Sequence, residues 1–388
     1  MEISACVKYV GVNDHQVDLF EGQYKVPNGM SYNSYVILDE KIAVMDTVDG
    51  FFTEEWLNNV EQVLDGKMPD YLIIQHMEPD HSASIPAFLK KYPKTTVVST
   101  AKGFQFMEQF FPEFFAEQGL PAEQRIVAAN DGVLELGQHS LHFVYAPMVH
   151  WPEVMMTYEA TEKILFAADG FGKFGALDVE EEWADEARRY YIGIVGKYGP
   201  QVQAVLKKAA GLDIQTICSL HGPVLTENLE FYLDKYNKWS SYQPEESGVV
   251  IAYASVYGNT RNAAEYLADV LQEKGQKTVL YDLARCDKAK AVADAFRYDR
   301  LVLAGITYNG DLFPCMRSFI EGLTERNYQN RKVAIIENGT WAPMAGKLIL
   351  GMFEKSKNLT FTETTVSIKS AMNAQNKSEI GKLAEELC

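Results

Sequence analysis

The chain has 388 residues, enough for two domains that each bury a core. With 47% hydrophobic and 23% charged residues it has the make-up of a water-soluble globular protein. A net charge of −17 argues against nucleic acid or an anionic membrane surface as a partner, and no stretch approaches the roughly 20 apolar residues of a membrane span.

Taken in chain order, Met1 to Cys6 lacks a basic segment followed by an apolar core, so no signal peptide is expected. The five cysteines (Cys6, Cys218, Cys286, Cys315 and Cys388) are scattered, odd in number and never in a Cys-x-x-Cys pair. That pattern disfavours a disulfide framework and a tetrathiolate metal module. The cysteines read as small buried or surface thiols, and the chain as cytoplasmic. Up to Trp239, short apolar runs mix with helical stretches. Tyr71–Gln75 and Thr95–Val98 read as buried strands, and Leu141–Ala146, Val154–Tyr158, Lys163–Ala168 and Ile214–Cys218 as further ones. Glu180 to Ala210 is helical in composition with one glycine-rich break. A mixed sheet arrangement with helices outside is expected.

Ser241 to Gly248 is polar, carries Pro and Gly, and reads as a linker. After it, strands Val249–Ala254, Thr278–Asp282, Leu301–Gly305, Val333–Ile336 and Thr364–Ile368 alternate with helices, including Asn262–Lys274 and Ser378–Leu387. Such alternation predicts a parallel, doubly wound sheet.

The densest chemistry is His76-Met77-Glu78-Pro79-Asp80-His81, four potential metal ligands in six residues directly after a strand. A single His or Asp in a loop is more often a cap or a surface residue; four together favour metal. Three more ligand-capable residues also end predicted strands: His150, Asp169 and His221. By contrast, His139 lies in a turn, His142 in mid-strand and His15 beside an Asn-Asp turn, and none of them is given a role. In the second half, Ser255-Val256-Tyr257-Gly258-Asn259-Thr260 lies between a strand and its helix, where doubly wound folds bind phosphate. Thr307-Tyr308-Asn309-Gly310 and Asn338-Gly339-Thr340-Trp341 follow later strands on the same sheet edge. Together the three loops suit a flat ring with a phosphate.

The His-x-Glu-x-Asp-His motif with His150, Asp169 and His221 resembles the metallo-β-lactamase-like domain of the flavo-diiron proteins. Glu78 stands where the superfamily's zinc hydrolases carry His. The set is then four imidazoles and three carboxylates, which suits iron better than zinc. The three later loops resemble those of a flavodoxin over nearly all of residues 249–388, although Ile306 stands where family members often have a small residue followed by Pro. The resemblance implies an αββα metallo-β-lactamase-like sandwich at 1–245 and a flavodoxin-like domain at 249–388. It implies that His76, Glu78 and His150 hold one iron, that Asp80, His81 and His221 hold another, and that Asp169 bridges them. It implies FMN in the second half, with Tyr308 and Trp341 as candidates to flank the ring, and reduction of O2 to water, of NO to nitrous oxide, or of both. An external electron donor such as a rubredoxin is then needed, and a head-to-tail homodimer or dimer of dimers is expected. Tyr190 and Tyr191 are candidate hydrogen-bond donors near the metals, with helix packing as their alternative. Two other functions stand beside this one: a zinc hydrolase fused to a flavodoxin, and a non-catalytic electron carrier or redox sensor.

Overall fold

The computed structural model describes residues 3–388, and its contacts divide the chain into two compact units. The first unit comprises Met1–Tyr190 and Pro200–Tyr236, and the second Tyr191–Gly199 and Asn237–Cys388.

In the first unit, short β-branched and aromatic runs pair into two mixed sheets. One has the order Val7–Tyr9, Tyr35–Ile37, Ala43–Met45, Tyr71–Ile73, Thr96–Ser99, Arg125–Val127; the other runs Val133–Glu135, Ser140–Tyr145, Met155–Glu159, Ile164–Phe166, Thr216–Cys218. Side chains alternate across a strand, so Met45, Ile73 and Val98 share one face. They join Leu141, Phe143, Met155, Ile164 and Phe166 of the other sheet in one buried cluster, which makes the two sheets a sandwich. Val44, Leu72 and Val97 occupy the opposite face and are fully buried as well, so that face is covered in turn. Amphipathic helices at Thr53–Leu64 and Ile85–Lys91 bury Trp56, Val60, Leu64, Phe88 and Leu89, with Trp56 packed on Phe88.

Direction within the sheets matters for function. Ser140–Tyr145 and Ile164–Phe166 are each antiparallel to Met155–Glu159, and Thr216–Cys218 is parallel to Ile164–Phe166. Those three strands therefore run the same way, and His150, Asp169 and His221 follow their C-terminal ends on one edge. Tyr71–Ile73 of the other sheet leads into His76 in the same manner.

The second unit is a five-stranded parallel sheet in the order Thr278–Asp282, Glu246–Tyr253, Tyr298–Tyr308, Arg331–Asn338, Leu359–Ile368. This is the 2-1-3-4-5 order of doubly wound folds. One face packs on helices Asn259–Glu273 and Ala374–Leu387. The other, carrying Val250, Leu301, Leu303 and Val333, is equally buried.

Two expectations need correction. Ser241–Gly248 is not a free linker. Trp239 Nε1 donates to Glu245 Oε1 at 2.7 Å, Tyr242 is buried, and the first strand already starts at Glu246. Glu246 pairs with Lys277 at 2.7 Å and Arg297 at 2.5 Å, so polarity there reflects ion pairing rather than mobility. The strands expected as Lys163–Ala168 and Ile214–Cys218 shorten to Ile164–Phe166 and Thr216–Cys218. Ala168 adopts a φ of 48°, which no extended strand tolerates. Among the described residues no helix is long and apolar enough to cross a membrane.

Candidate functional site

The loop after Tyr71–Ile73 turns inward because buried Asp46, at the end of a neighbouring strand, accepts from Gln75 N at 2.7 Å and from Gln75 Nε2 at 2.9 Å. Burial lifts the Asp46 carboxyl to about 6 against those bonds. Pro79 then opens a single helical turn, Pro79–Ser82, which carries Asp80 and His81 into the interior.

His76, Glu78, Asp80, His81, His150, Asp169 and His221 come together as two groups of donor atoms. In the first, His76 Nε2 lies 3.2 Å from Glu78 Oε2 and 3.3 Å from Asp169 Oδ2; His150 Nε2 lies 3.0 and 3.3 Å from the same oxygens. In the second, His81 Nε2 lies 3.2 Å from Asp80 Oδ2, 3.1 Å from His221 Nε2 and 3.3 Å from Asp169 Oδ1. His221 Nε2 is 3.2 Å from Asp80 Oδ2 and 3.7 Å from Asp169 Oδ1. Asp169 thus offers one oxygen to each group.

The charges are held away from water. Both carboxylate oxygens of Asp80 and of Asp169 are buried without a hydrogen bond, a costly state for anions lacking a cation. Burial acts upward on the Asp169 carboxyl, but the imidazoles of His76, His150 and His81 hold it well below the usual range. Burial would lower His150, yet Asp169 and Glu78 outweigh it and lift the ring to about 9. His76 rises well above its usual value by the same balance, with Asp169 and Glu153 as its anions. A metal bound there would take the place of the protons that these carboxylates draw onto the imidazoles.

Two rings are oriented from behind. His76 Nδ1 donates to Glu153 Oε1 at 2.8 Å, and His221 Nδ1 donates to the Ser31 carbonyl at 2.7 Å. With Nδ1 as donor, Nε2 is the atom that each ring turns to the centre, which is the arrangement of metal-ligating histidines. Sequence reasoning missed Asp46, Ser31 and Glu153; the one signal available was an acidic residue at the start of the apolar run Val154–Tyr158. Trp151 meets His76 edge to face at 5.2 Å, and Phe20, Tyr32 and Tyr190 surround His221 at ring distances of 5.4, 6.1 and 5.4 Å. Burial and the anions Asp169, Asp80 and Glu78 keep the Tyr190 phenol protonated. Tyr191 belongs to the second unit and lies against Trp239 at 5.4 Å, the packing alternative for that residue. His139 is bonded to Asp39, and His15 pairs with Asp178 on the surface.

In the second unit all three expected loops lie at the C-terminal edge of the parallel sheet. Gly258, at φ 91°, ends the first loop, and no side chain caps the helix Asn259–Glu273 that follows. Its first-turn N–H groups suit an anion. Asn309 and Gly310, at φ 51° and 73°, form a two-residue hairpin turn between Tyr298–Tyr308 and Asp311–Leu312. The loops are tied together: Asn338 Nδ2 donates to Thr260 Oγ1 at 3.3 Å, and Thr307 Oγ1 accepts from Met344 N at 2.8 Å. Tyr257 and Trp341 are 93% and 88% exposed and Tyr308 and Val256 are exposed as well, so each of the three loops presents an aromatic side chain to solvent.

Comparison with known proteins agrees with both halves. Residues 30–222 match the ODP family beta lactamase and residues 250–358 a flavodoxin domain. An anaerobic nitric oxide reductase flavorubredoxin of Vibrio vulnificus is 27% identical over 385 residues, covering 96% of this chain and 75% of that one. A flavodiiron protein from Giardia intestinalis superposes with a TM-score of 0.90 at 25% identity, covering 100% of this chain and 96% of that one. Rubredoxin oxygen:oxidoreductase from Desulfovibrio gigas shares the fold, with a TM-score of 0.91 at 24% identity and coverage of 100% and 97%. A beta-lactamase-type match over the part that carries the carboxylate–imidazole cluster, a flavodoxin match later in the sequence, and relatives and structural neighbours that are flavorubredoxin and flavodiiron proteins make the chain similar to the flavo-diiron proteins over both halves.

Proposed function

We infer that this protein is an oxidoreductase that reduces O2 to water, NO to nitrous oxide, or both, with electrons passing from an external donor through FMN to two irons. The observation that carries the reading is the Asp169 carboxylate, which faces two groups of donors with one oxygen each. His76, Glu78 and His150 are proposed to hold one iron, Asp80, His81 and His221 the other, with Asp169 between them. Donor atoms about 3 Å apart are what bonds of roughly 2.0–2.2 Å from a shared ion produce. Glu78 speaks against a zinc hydrolase, because a third carboxylate favours a harder, redox-active metal. Held there, iron would supply the binding and reduction of a diatomic, and FMN the electron relay.

The chain's own contributions are positional. Glu153 and Ser31 orient His76 and His221, while Phe20, Tyr32 and Tyr190 wall the second group off from water. On the flavin side, Ser255, Val256, Tyr257, Gly258, Asn259 and Thr260 are proposed to take the phosphate. Thr307, Tyr308, Asn309, Gly310, Asn338, Gly339, Thr340 and Trp341 are proposed to frame the ring. The metal-binding part is proposed as residues 1–245 and the flavin part as 249–388. A rubredoxin-type protein is the proposed donor, since the names of the relatives cited above carry it. A head-to-tail homodimer, or a dimer of such dimers, and a cytoplasmic location complete the proposal; five cysteines without a disulfide fit a reducing compartment.

The direct test is metal and flavin analysis of protein from iron-replete cells, then anaerobic reduction and turnover with O2 and with NO. The expected content is about two irons and one FMN per chain, with consumption of at least one of the two gases. Zinc at full occupancy with hydrolase activity would overturn the assignment. A finer expectation concerns Glu153. Glu153→Ala should weaken metal binding at the His76 position about 10–100-fold in chelator competition, because the ring loses its orienting acceptor. The Asp80–His81–His221 position should keep its affinity, and equal loss at both would count against separate positions.

A further inference from the structure

We propose that Cys6, His139 and Glu162 form a second metal site, mononuclear and of the zinc class, at the opposite end of the sandwich strands from the carboxylate–imidazole cluster. His139 and Glu162 occupy the turns that lead into Ser140–Tyr145 and Ile164–Phe166, whereas His150 and Asp169 follow the far ends of those strands. Cys6 immediately precedes Val7–Tyr9, the edge strand of the facing sheet. The Cys6 sulfur, a His139 ring nitrogen and a Glu162 oxygen all lie within 4.8 Å of one another.

Each donor is held by a separate device. His139 Nδ1 donates to Asp39 Oδ2 at 2.8 Å, and the same oxygen accepts from the His139 backbone N at 2.7 Å. Both side chains are almost fully buried. The Asp39 carboxyl, which burial alone would raise, is lowered by these bonds, so it accepts as the anion and Nδ1 carries the proton. Nε2 of the same ring faces the other way and lies 4.0 Å from Glu162 Oε1. This carboxylate–imidazole relay is the second-sphere support typical of metal-ligating histidines. Ser4 Oγ accepts from Cys6 N at 3.2 Å and Val7 N at 3.0 Å and donates to Glu162 Oε2 at 2.5 Å, which fixes the thiol beside the carboxylate. Glu162 N and Thr161 N are in turn received by Glu159.

The surroundings favour a cation over a reactive thiol. Burial, Glu162, Asp39 and Glu159 raise the Cys6 thiol, and Lys8 opposes them only in part. The carboxylates of Glu162, Asp39 and Glu159 around the sulfur make a negative field that attracts a divalent ion. Binding forms a metal–sulfur bond and releases the thiol proton to solvent. One thiolate, one imidazole and one carboxylate match the borderline-soft preference of zinc, with the fourth position open to water on the partly exposed Glu162 side. Because Cys6 and Asp39 belong to one sheet and His139 and Glu162 to the other, the ion would staple the two sheets and fix the segment before Val7.

The test adds one equivalent of zinc to iron- and flavin-loaded full-length protein and reads zinc-edge X-ray absorption. The carboxylate–imidazole cluster contains no sulfur, so the signal is independent of what fills it. The expected spectrum has one sulfur neighbour at about 2.3 Å, lost in Cys6→Ser while iron content and gas turnover are unchanged. Glu162→Gln and Asp39→Asn should each raise the zinc dissociation constant, the latter about 10–100-fold, with Asp39 acting as a positioning residue. A sulfur-free zinc shell in the unmodified protein, a sulfur shell that persists in Cys6→Ser, or an unchanged dissociation constant in Glu162→Gln would each overturn the proposal.

Discussion

Asp169→Ala is expected to strip both irons from the protein and abolish reduction of O2 and NO. The two oxygens of this side chain face different donor groups at 3.3 Å from His76 and His150 on one side and from His81 on the other. Alanine removes a ligand from both ions at once, and with it the negative charge that balances the imidazoles. His221→Ala offers the contrast, since His221 faces only the Asp80 and His81 group closely. That variant should keep the ion beside His76 and lose most of the other. Asp169→Asn separates charge from shape: its amide retains one ligating oxygen, so at most one ion should remain. FMN content is the folding control, because the flavin loops lie in the other compact unit and should stay loaded in all three variants. Retention of both irons in Asp169→Ala, or the same mild loss in Asp169→Ala and His221→Ala, would remove Asp169 from the bridging position.

What could be read in the sequence follows from how locally each feature is encoded. The His76 to His81 cluster is legible because a loop that brings several donor side chains to one place carries them close together in the chain. The five parallel strands of the second unit are legible because a sheet buried on both faces needs continuous apolar runs such as Val249 to Tyr253. The strands Val7–Tyr9, Tyr35–Ile37 and Ala43–Met45 went unseen: each has three residues, too few for a period to show. Glu153 and Asp46 support the His76 loop from 77 and 29 residues away, distances over which only the assembled sandwich brings groups together. Cys6, His139 and Glu162 are hidden for the same reason, and a reading of each cysteine by itself could give only a bland thiol. Ser241–Gly248 misled in the other direction. Its polar side chains resembled a solvated linker, whereas Glu245 and Glu246 are tied to Trp239, Lys277 and Arg297. Asn309-Gly310 carried more information than was drawn from it, since Asn-Gly between two strands is a strong hairpin signal.

The proposed head-to-tail dimer makes an all-or-none prediction. Each chain carries its proposed iron ligands and its proposed flavin loops in different compact units, and the proposed catalysis needs electrons to pass from one cofactor to the other. In a two-fold head-to-tail dimer the flavin of one subunit serves the irons of its partner, and one interface creates both contacts. Consider a mixed dimer with one subunit carrying His81→Ala and the other lacking flavin through changes at Thr260 and Asn309. The first subunit keeps a flavin and the second keeps its irons, so transfer between subunits leaves one working pair, about half the activity of the unmodified dimer. Transfer within a chain leaves none. Placing both lesions in one subunit beside an unmodified partner reverses the expectation: transfer between subunits then fails at both pairs, while transfer within a chain still works in the unmodified subunit. Thr260 and Asn309 suit the flavin lesion because each sits in a different loop, Thr260 bonded to Asn338 and Asn309 in the hairpin turn after Tyr308. Differently tagged subunits, purified sequentially and assayed for NO and O2 consumption with a chemical reductant of the flavin, give the two activities directly. Activity in the doubly lesioned pairing together with none in the split pairing would refute the head-to-tail arrangement and leave the dimer, if present, without a part in electron transfer.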